Sequence, residues 1–129
     1  MDRYPGDRSF RRSQRLTAAA EFQRVFRDGR RSADDCFTVL FCHNTRDQPR
    51  LGLAIAKRRV RRAVARNRLK RLVRESFRAA APSLPPMDIV VLAGPAAGNA
   101  DNAKIFASLE QHWQRLAGRR EQQERRGKH

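Results

Sequence analysis

Acidic residues are scarce in this chain of 129 residues, which has 13 Asp and Glu against 29 Lys and Arg and a formal net charge of +16. That excess is far beyond what solubility asks of a small domain. A surface this basic repels itself unless a polyanion neutralises it, and nucleic acid is the first candidate, ahead of an anionic membrane surface. The length suits one domain with a modest core.

Long hydrophobic runs are also missing. No apolar stretch approaches the roughly 18 residues that a transmembrane helix needs. The N-terminal segment MDRYPGDRSFRRSQR lacks the apolar core of a signal peptide. We therefore expect a cytoplasmic protein with no membrane partner.

Patterns for metal binding and catalysis are absent as well. Cys36 and Cys42 form no CxxC pair, and adjacent Cys42 and His43 are poorly spaced to ligate one zinc ion, so reduced, half-buried thiols are expected. Hydrolysis of a phosphodiester by a protein needs clustered carboxylates or a pair of histidines. Only one acid, Glu75, lies within residues 50–80, and no DxD or HxH spacing occurs. We predict no catalytic residue and no metal site in the polypeptide.

What the chain does have is arginine, which accounts for 25 of the 29 basic residues. A forked guanidinium grips a phosphate through two bonds and stacks on a base, which suits RNA, although a GC-rich genome gives the same bias. Residues 1–15 are predicted to be a flexible basic arm and 119–129 a charged, disordered tail, because neither has apolar periodicity. Residues 16–118 are predicted to form a single RNA-binding domain.

Apolar periodicity predicts the elements of the N-terminal half. Thr17 is the expected N-cap of a helix over 17–28, and Gly29 suits a left-handed C′ position. The apolar stripe of this helix consists of Ala19, Phe22, Val25 and Phe26. The alternating segment DCFTVLFC predicts a strand over 36–43, and RLGLAIAK a second strand joined to it as a hairpin through TRDQPR. A further short strand over 30–35 is weakly indicated.

The C-terminal half begins with a helix over 61–80. At 100° per residue, its apolar arc spans roughly 140° and contains Ala65, Leu69, Leu72, Val73, Ser76, Phe77 and Ala80. A neighbouring arc of about 100° holds Asn67, Lys70, Arg71, Arg74 and Arg78, with Arg66 at the border and Arg68 on the far side. The run MDIVVLAG predicts a covered strand, followed by a last helix from Asn102 to a stop at Gly118. This order indicates a small α+β sandwich.

Two surfaces of this fold are candidates for binding. The first is the basic arc of the helix over 61–80, with Lys57, Arg58, Arg59, Arg61 and Arg62 leading into it, and Glu75 is expected to pair with Arg71 or Arg78. A solvated face normally mixes both signs of charge, and this one barely does. The second surface is aromatic, since Phe22 and Phe26 at i and i+4 either stack on unpaired bases or pack in the core.

The segment RNRLKRLVRESFR (66–78) resembles the RNR signature of the bacterial ribonuclease P protein family. The similarity also takes in LTAAAEFQRVF, PRLGLAIAKRRVRRAVARNR, LPPMDIVVLA and LEQHWQRL, so that it covers about residues 15–118. The resemblance implies an α-β-β-β-α-β-α sandwich like the second domain of a ribosomal small-subunit protein. It also implies a left-handed β-α-β crossover.

The resemblance also implies a division of labour. In that family a large RNA subunit performs the Mg²⁺-dependent removal of the 5′ leader from precursor tRNA and holds most of the Mg²⁺. The protein is an accessory subunit whose partners are the catalytic RNA and precursor tRNA, and no obligate protein partner is expected. This agrees with the missing carboxylate cluster.

Site residues follow from the family's motifs. Those implied to contact the catalytic RNA are Lys57, Arg58, Arg61, Arg62, Arg66, Asn67, Arg68, Lys70, Arg71 and Arg74. Those implied to line the leader cleft are Phe22, Phe26, Thr38 and Leu40. Some members have a tyrosine on the cleft strand, where this chain has Leu40 or Phe41. On this basis, Arg66→Ala and Arg68→Ala are expected to impair RNA assembly with nearly unchanged thermal stability.

Two other functions fit the charge but not the motifs. A structural rRNA-binding protein of the ribosome would share the basic helix, but the RNR signature argues against it. A sequence-specific DNA-binding helix would usually continue into a dimerising heptad, and none follows Phe77 before APSLPP.

Overall fold

A computed structural model describes residues 14–127, with side chains through residue 118. Most of the predicted arm (1–15) and the last two residues of the predicted tail therefore lie outside the described residues. The elements follow the predicted α-β-β-β-α-β-α order. They are α1 (Ala19–Asp28), β1 (Arg30–Ala33), β2 (Phe37–His43), β3 (Arg50–Ala54), α2 (Ala63–Ala80), β4 (Met87–Ala93) and α3 (Asn102–Gly127).

The ends of α1 differ from the predicted ones. Ala18, not Thr17, is the N-cap, and the Glu21 carboxylate accepts the backbone N–H groups of both residues, at 3.2 and 3.3 Å. Gly29 is extended (φ −75°, ψ 155°), so the predicted left-handed C′ is wrong. Glycine is needed for space, because a Cβ there would lie 2.3 Å from the Val25 carbonyl oxygen. The helix can thus turn directly into β1.

The four strands form one mixed sheet in the order β1-β2-β4-β3. β2 is antiparallel to β1 and β4, whereas β3 is parallel to β4. The predicted hairpin of β2 with β3 is therefore wrong, because β4 lies between them. The first five residues of β4 are all buried, so the most apolar strand occupies an interior position of the sheet.

The predicted short strand over 30–35 is confirmed as β1. At the opposite edge, Arg15 forms a parallel bridge with Leu51, and the next N–H, of Leu16, donates to the Leu51 carbonyl at 3.0 Å. The chain is thus already tied to the sheet at Arg15, inside the predicted arm. The hand of the β3-α2-β4 crossover and the likeness to a ribosomal domain stay predictions.

Helices α2 and α3 cover one face of the sheet. The apolar arc predicted for α2 is confirmed, since Leu69, Leu72, Val73 and Phe77 are buried in the main core. Trp113 of α3 meets Phe77 edge-on, with ring centroids 6.0 Å apart, and its indole N–H donates to Ser76 Oγ at 2.7 Å. The buried side of α2 is therefore fixed, and its opposite side must face outwards.

Helix α3 begins at Asn102 as predicted but does not stop at Gly118. It continues to Gly127, so the backbone over 119–127 is helical where a disordered tail was expected. An interior glycine costs only about 1 kcal/mol relative to alanine. The residues that follow are mainly Arg, Glu and Gln, which favour helix.

Candidate nucleic-acid interface

The basic face of α2 is exposed and rigidly supported. Asn67, Arg71, Arg74 and Arg78 are exposed, Lys70 is half-buried, and the opposite side of the helix lies in the core. The loop over 55–62 leads into this face and is anchored by the buried side chains of Ile55 and Val60. Between and after these anchors, the exposed side chains are Lys57, Arg58, Arg59, Arg61 and Arg62. Helix α2 and the loop over 55–62 are both anchored in the core, and together they present one set of exposed cations.

Glu75 neutralises little of this charge. Its carboxylate lies 3.8 Å from Arg71 Nε with both side chains exposed, which confirms the predicted pair with Arg71. As the one acid within residues 50–80, Glu75 offsets a single positive charge among the many Lys and Arg side chains of this segment. The face therefore stays strongly positive.

Two cations of the predicted RNA-binding set turn towards the protein. Arg66 Nη1 donates to the carbonyl oxygens of Val60 and Arg61, at 2.9 and 2.8 Å. Arg68 donates from Nη2 to the Ala100 carbonyl at 2.9 Å. Its Nε and Nη2 also donate to Asn102 Oδ1, at 3.0 and 2.6 Å. These bonds argue against the expectation that either arginine can be lost without affecting stability.

The two phenylalanines of α1 differ: one packs against the protein, as a core residue would, and the other is open to solvent, as base stacking requires. Phe22 is half-buried and packs with Leu16 and Val25, and its ring lies over β3 so closely that a Cβ on Gly52 would be 2.6 Å from Cζ. Phe26 is 49% exposed. Phe22 is therefore packed between α1 and β3, whereas the ring of Phe26 is accessible for stacking.

Beside α1, the sheet presents an incompletely covered apolar strip. Thr38 and Leu40 of β2 pair in register with Leu92 and Val90 of β4, and both β2 side chains are half-buried. Phe41 belongs to the main core on the other face. Of the two candidates for the family's tyrosine position, Leu40 is therefore the one on the α1 side of the sheet.

A groove of about 430 Å³ connects the α1 side with the basic face of α2. Its lining residues are Arg15, Leu16, Thr17, Phe22, Leu51, Gly52, Leu53 and Arg74. Partial desolvation of Arg74 within the groove, and then the charge of Arg15, lower the pKa of Arg74 from its ordinary value. Two guanidinium groups thus share one groove with an aromatic ring, which suits a phosphate next to a base.

A buried ion network that the sequence analysis missed holds α1 in place. Asp88 of β4 is fully buried and accepts two bonds from Arg50, at 2.9 and 2.8 Å, and one from Asn44 at 2.8 Å. Arg24 of α1 also donates to Asp88, and Arg50 reaches Glu21 of α1 at 2.5 Å. The available clue was the aspartate within the apolar run MDIVVLAG, since a buried charge requires partners.

A second polar cluster missed by the sequence analysis joins β1 to α3. His112 Nδ1 lies 2.7 Å from Ser32 Oγ, and Nε2 lies 3.3 Å from Asp34 Oδ1. His112 is fully buried and Ser32 nearly so. Burial lowers the pKa of His112 despite the nearby Asp34 carboxylate. The three residue types match a hydrolytic triad, but no substrate reaches a serine buried in this way.

The part of the chain that the structure describes brings no three His, Cys, Asp or Glu residues together as a metal site. Cys36 and Cys42 are both free thiols, Cys36 buried and Cys42 half-buried. Across residues 14–127, no helix has the length and apolar character of a membrane span.

Comparison with known proteins gives consistent matches. A family model described as Ribonuclease P matches residues 10–117. The ribonuclease P protein component of Thioalkalivibrio sulfidiphilus is 50% identical over 111 residues, covering 86% of this chain and 92% of that protein. The component of Methylococcus capsulatus is 47% identical over 104 residues, 81% of either chain. The solved Staphylococcus aureus RNase P protein is 34% identical with a TM-score of 0.74, covering 81% of this chain and 94% of that one.

Proposed function

The chain belongs to the ribonuclease P protein component family, whose enzyme matures the 5′ ends of tRNA together with an RNA subunit, and we propose how this chain's surfaces serve that role. The basic face of α2 and the loop over 55–62 bind the catalytic RNA. The groove and apolar strip beside α1 bind the 5′ leader of precursor tRNA. The observation that carries this proposal is a rigid, almost purely cationic surface continuous with an aromatic groove.

The shape of the groove supports the leader assignment. Single-stranded RNA is bound where cations follow the backbone and aromatic rings stack on unpaired bases. Here Phe22 and Arg74 line the groove. Phe26 is exposed on α1, and Thr38 and Leu40 lie on the apolar strip of the sheet. A strand in this path would pass from the apolar strip to the surface proposed for the catalytic RNA.

We further propose that the polypeptide is an accessory subunit that does not itself cleave RNA, and that it works in the cytoplasm. The basic surface carries one carboxylate, Glu75, which is too few to hold the metal ions of a phosphodiesterase. Ser32 and His112 are buried away from substrate. The described residues do not fit an Mg²⁺ site, so we assign the Mg²⁺ that the family's reaction would use to the RNA subunit.

Phe26→Ala is expected to weaken binding of precursor tRNA by the assembled holoenzyme roughly tenfold, because base–aromatic stacking contributes about 1–3 kcal/mol per base. Mature tRNA, which has no leader, should bind unchanged, and the melting temperature should stay near that of the wild type since the ring is exposed. Equilibrium binding of both tRNAs to the holoenzyme measures this difference.

Phe106→Ala is the matched control, because this phenylalanine is also partly exposed but lies on α3. It should leave both tRNA affinities unchanged. Equal affinity of wild type and Phe26→Ala for precursor tRNA would remove Phe26 from the leader site.

A further inference from the structure

The two arginines of the RNR segment differ from the cations around them. Arg66 lies on the stripe of α2 that also carries Val73 and Phe77, because seven and eleven residues bring the helix back to nearly the same side. Both Arg66 and Arg68 are half-buried, whereas Asn67 between them is exposed. The motif therefore presents its middle residue to solvent and directs its outer two inwards.

Each arginine fastens a different segment to α2. Arg66 holds the carbonyl groups of Val60 and Arg61, at the end of the loop that carries the exposed cations. Arg68 holds Ala100 and Asn102, where the connection after β4 enters α3. A Cβ built on Gly98 would lie 3.9 Å from the Val60 side chain, so the loop held by Arg66 lies next to the connection that follows β4.

We propose that Arg66 and Arg68 are positioning residues, which brace the two flanking segments so that Asn67 and the exposed cations form one preorganised RNA-binding surface. This inference rests on the proposed function. Preorganisation raises affinity by removing the entropy cost of ordering the loop on binding. The contribution of Arg68 then depends on its acceptors in the protein, and not on its charge alone.

Asn102 makes this idea testable without altering any cation. Asn102→Ala removes the acceptor of two Arg68 bonds but keeps the Arg68 charge. It leaves the helix start intact, because Asp101 Oδ1 accepts the N–H of Lys104 at 2.8 Å. Arg68→Lys keeps the charge but loses the planar fork. Arg71→Ala removes one exposed cation and serves as the control for a direct phosphate contact.

The experiment measures the Kd of the full-length protein for its catalytic RNA over a salt series of about 50 to 200 mM. Asn102→Ala, Arg68→Ala and Arg68→Lys should each weaken binding by about tenfold, the equivalent of one charged hydrogen bond. The salt slope should remain that of the wild type in all three. The double variant Arg68→Ala/Asn102→Ala should bind no more weakly than Arg68→Ala. Arg71→Ala should lower the slope by about one.

Other results would overturn the proposal in separable ways. Wild-type affinity in Asn102→Ala, with or without a lower melting temperature, would show that the brace does not serve RNA binding. Full affinity in Arg68→Lys with a reduced slope in Arg68→Ala would make Arg68 a direct phosphate ligand. Failure of the wild type itself to bind the catalytic RNA would overturn the proposed function.

Discussion

Asp88→Asn is expected to lower the free energy of unfolding by about 3–5 kcal/mol, as found when one partner of a buried ion pair is removed. Asp88 is fully buried, and Arg50, whose side chain is 9% exposed, would lose its two bonds to a charged carboxylate. Small domains have about 5–15 kcal/mol of stability in total. Denaturant unfolding at neutral pH should therefore show a much earlier midpoint.

Asp47→Asn is the matched control, since it removes the same charge from an exposed position in the β2–β3 connection. Its effect should stay within about 0.5 kcal/mol. A loss below about 1 kcal/mol in Asp88→Asn would show that the network contributes little net stability. Because Glu21 and Arg24 belong to α1, Asp88→Asn should also loosen the packing of α1 against the sheet and weaken leader binding.

The same network gives the pH dependence of stability a definite sign. Burial alone would raise the pKa of Asp88, but the hydrogen bonds from Arg50 and Asn44 outweigh it and hold the pKa below the ordinary carboxyl value. A carboxyl group with a lowered pKa stabilises the fold above its unfolded pKa of about 3.9. That contribution is lost as the pH falls below this value towards the folded pKa. Asp88→Asn should therefore lose less stability on acidification than the wild type.

Affinity for the catalytic RNA is expected to fall by about 10³-fold or more between 50 and 200 mM salt, as for proteins with roughly six to ten phosphate contacts. The exposed cations that would make these contacts are Lys57, Arg58, Arg59, Arg61, Arg62, Arg71, Arg74 and Arg78. Each phosphate neutralised releases condensed counterions, so the slope of log affinity against log salt counts the contacts.

Charge reversal locates those contacts. Arg61→Glu/Arg62→Glu should reduce affinity at least 100-fold at low salt and lower the slope by about two. Arg31→Glu/Arg46→Glu changes the net charge equally at two exposed positions, on β1 and after β2, and should have only a small effect. A flat salt dependence, or equal losses in the two double variants, would contradict a localised electrostatic interface.

Local periodicity predicted the elements well, and non-local pairing explains the errors. The phase of α2 followed from its own residues, because a long amphipathic helix leaves little ambiguity about its buried side. The β2–β3 hairpin was wrong because strand order depends on β4, which follows α2 in the chain. Gly29 was misassigned for a similar reason, since its need for space arises partly from Phe41 on another strand.

The candidate site was likewise predictable only where it depends on local sequence. The cationic face of α2 follows from helical phase, and its exposure agrees with the prediction. The inward bonds of Arg68 were not predictable, because Ala100 and Asn102 lie more than 30 residues away in the sequence. Asp88 likewise takes its partners from α1, from β3 and from the connection between β2 and β3. Sequence periodicity identifies a charged face, whereas only the packed structure shows which charges are already engaged within the protein.

Cleavage of precursor tRNA by the cognate catalytic RNA at low Mg²⁺, with and without the full-length protein, tests the central claim most directly. The wild type should raise the rate of 5′ leader removal, Arg61→Glu/Arg62→Glu should fail to do so at the same concentration, and the protein without RNA should cleave nothing. No increase in rate with the wild-type protein, or cleavage by the protein alone, would contradict an accessory subunit that acts by binding both RNAs.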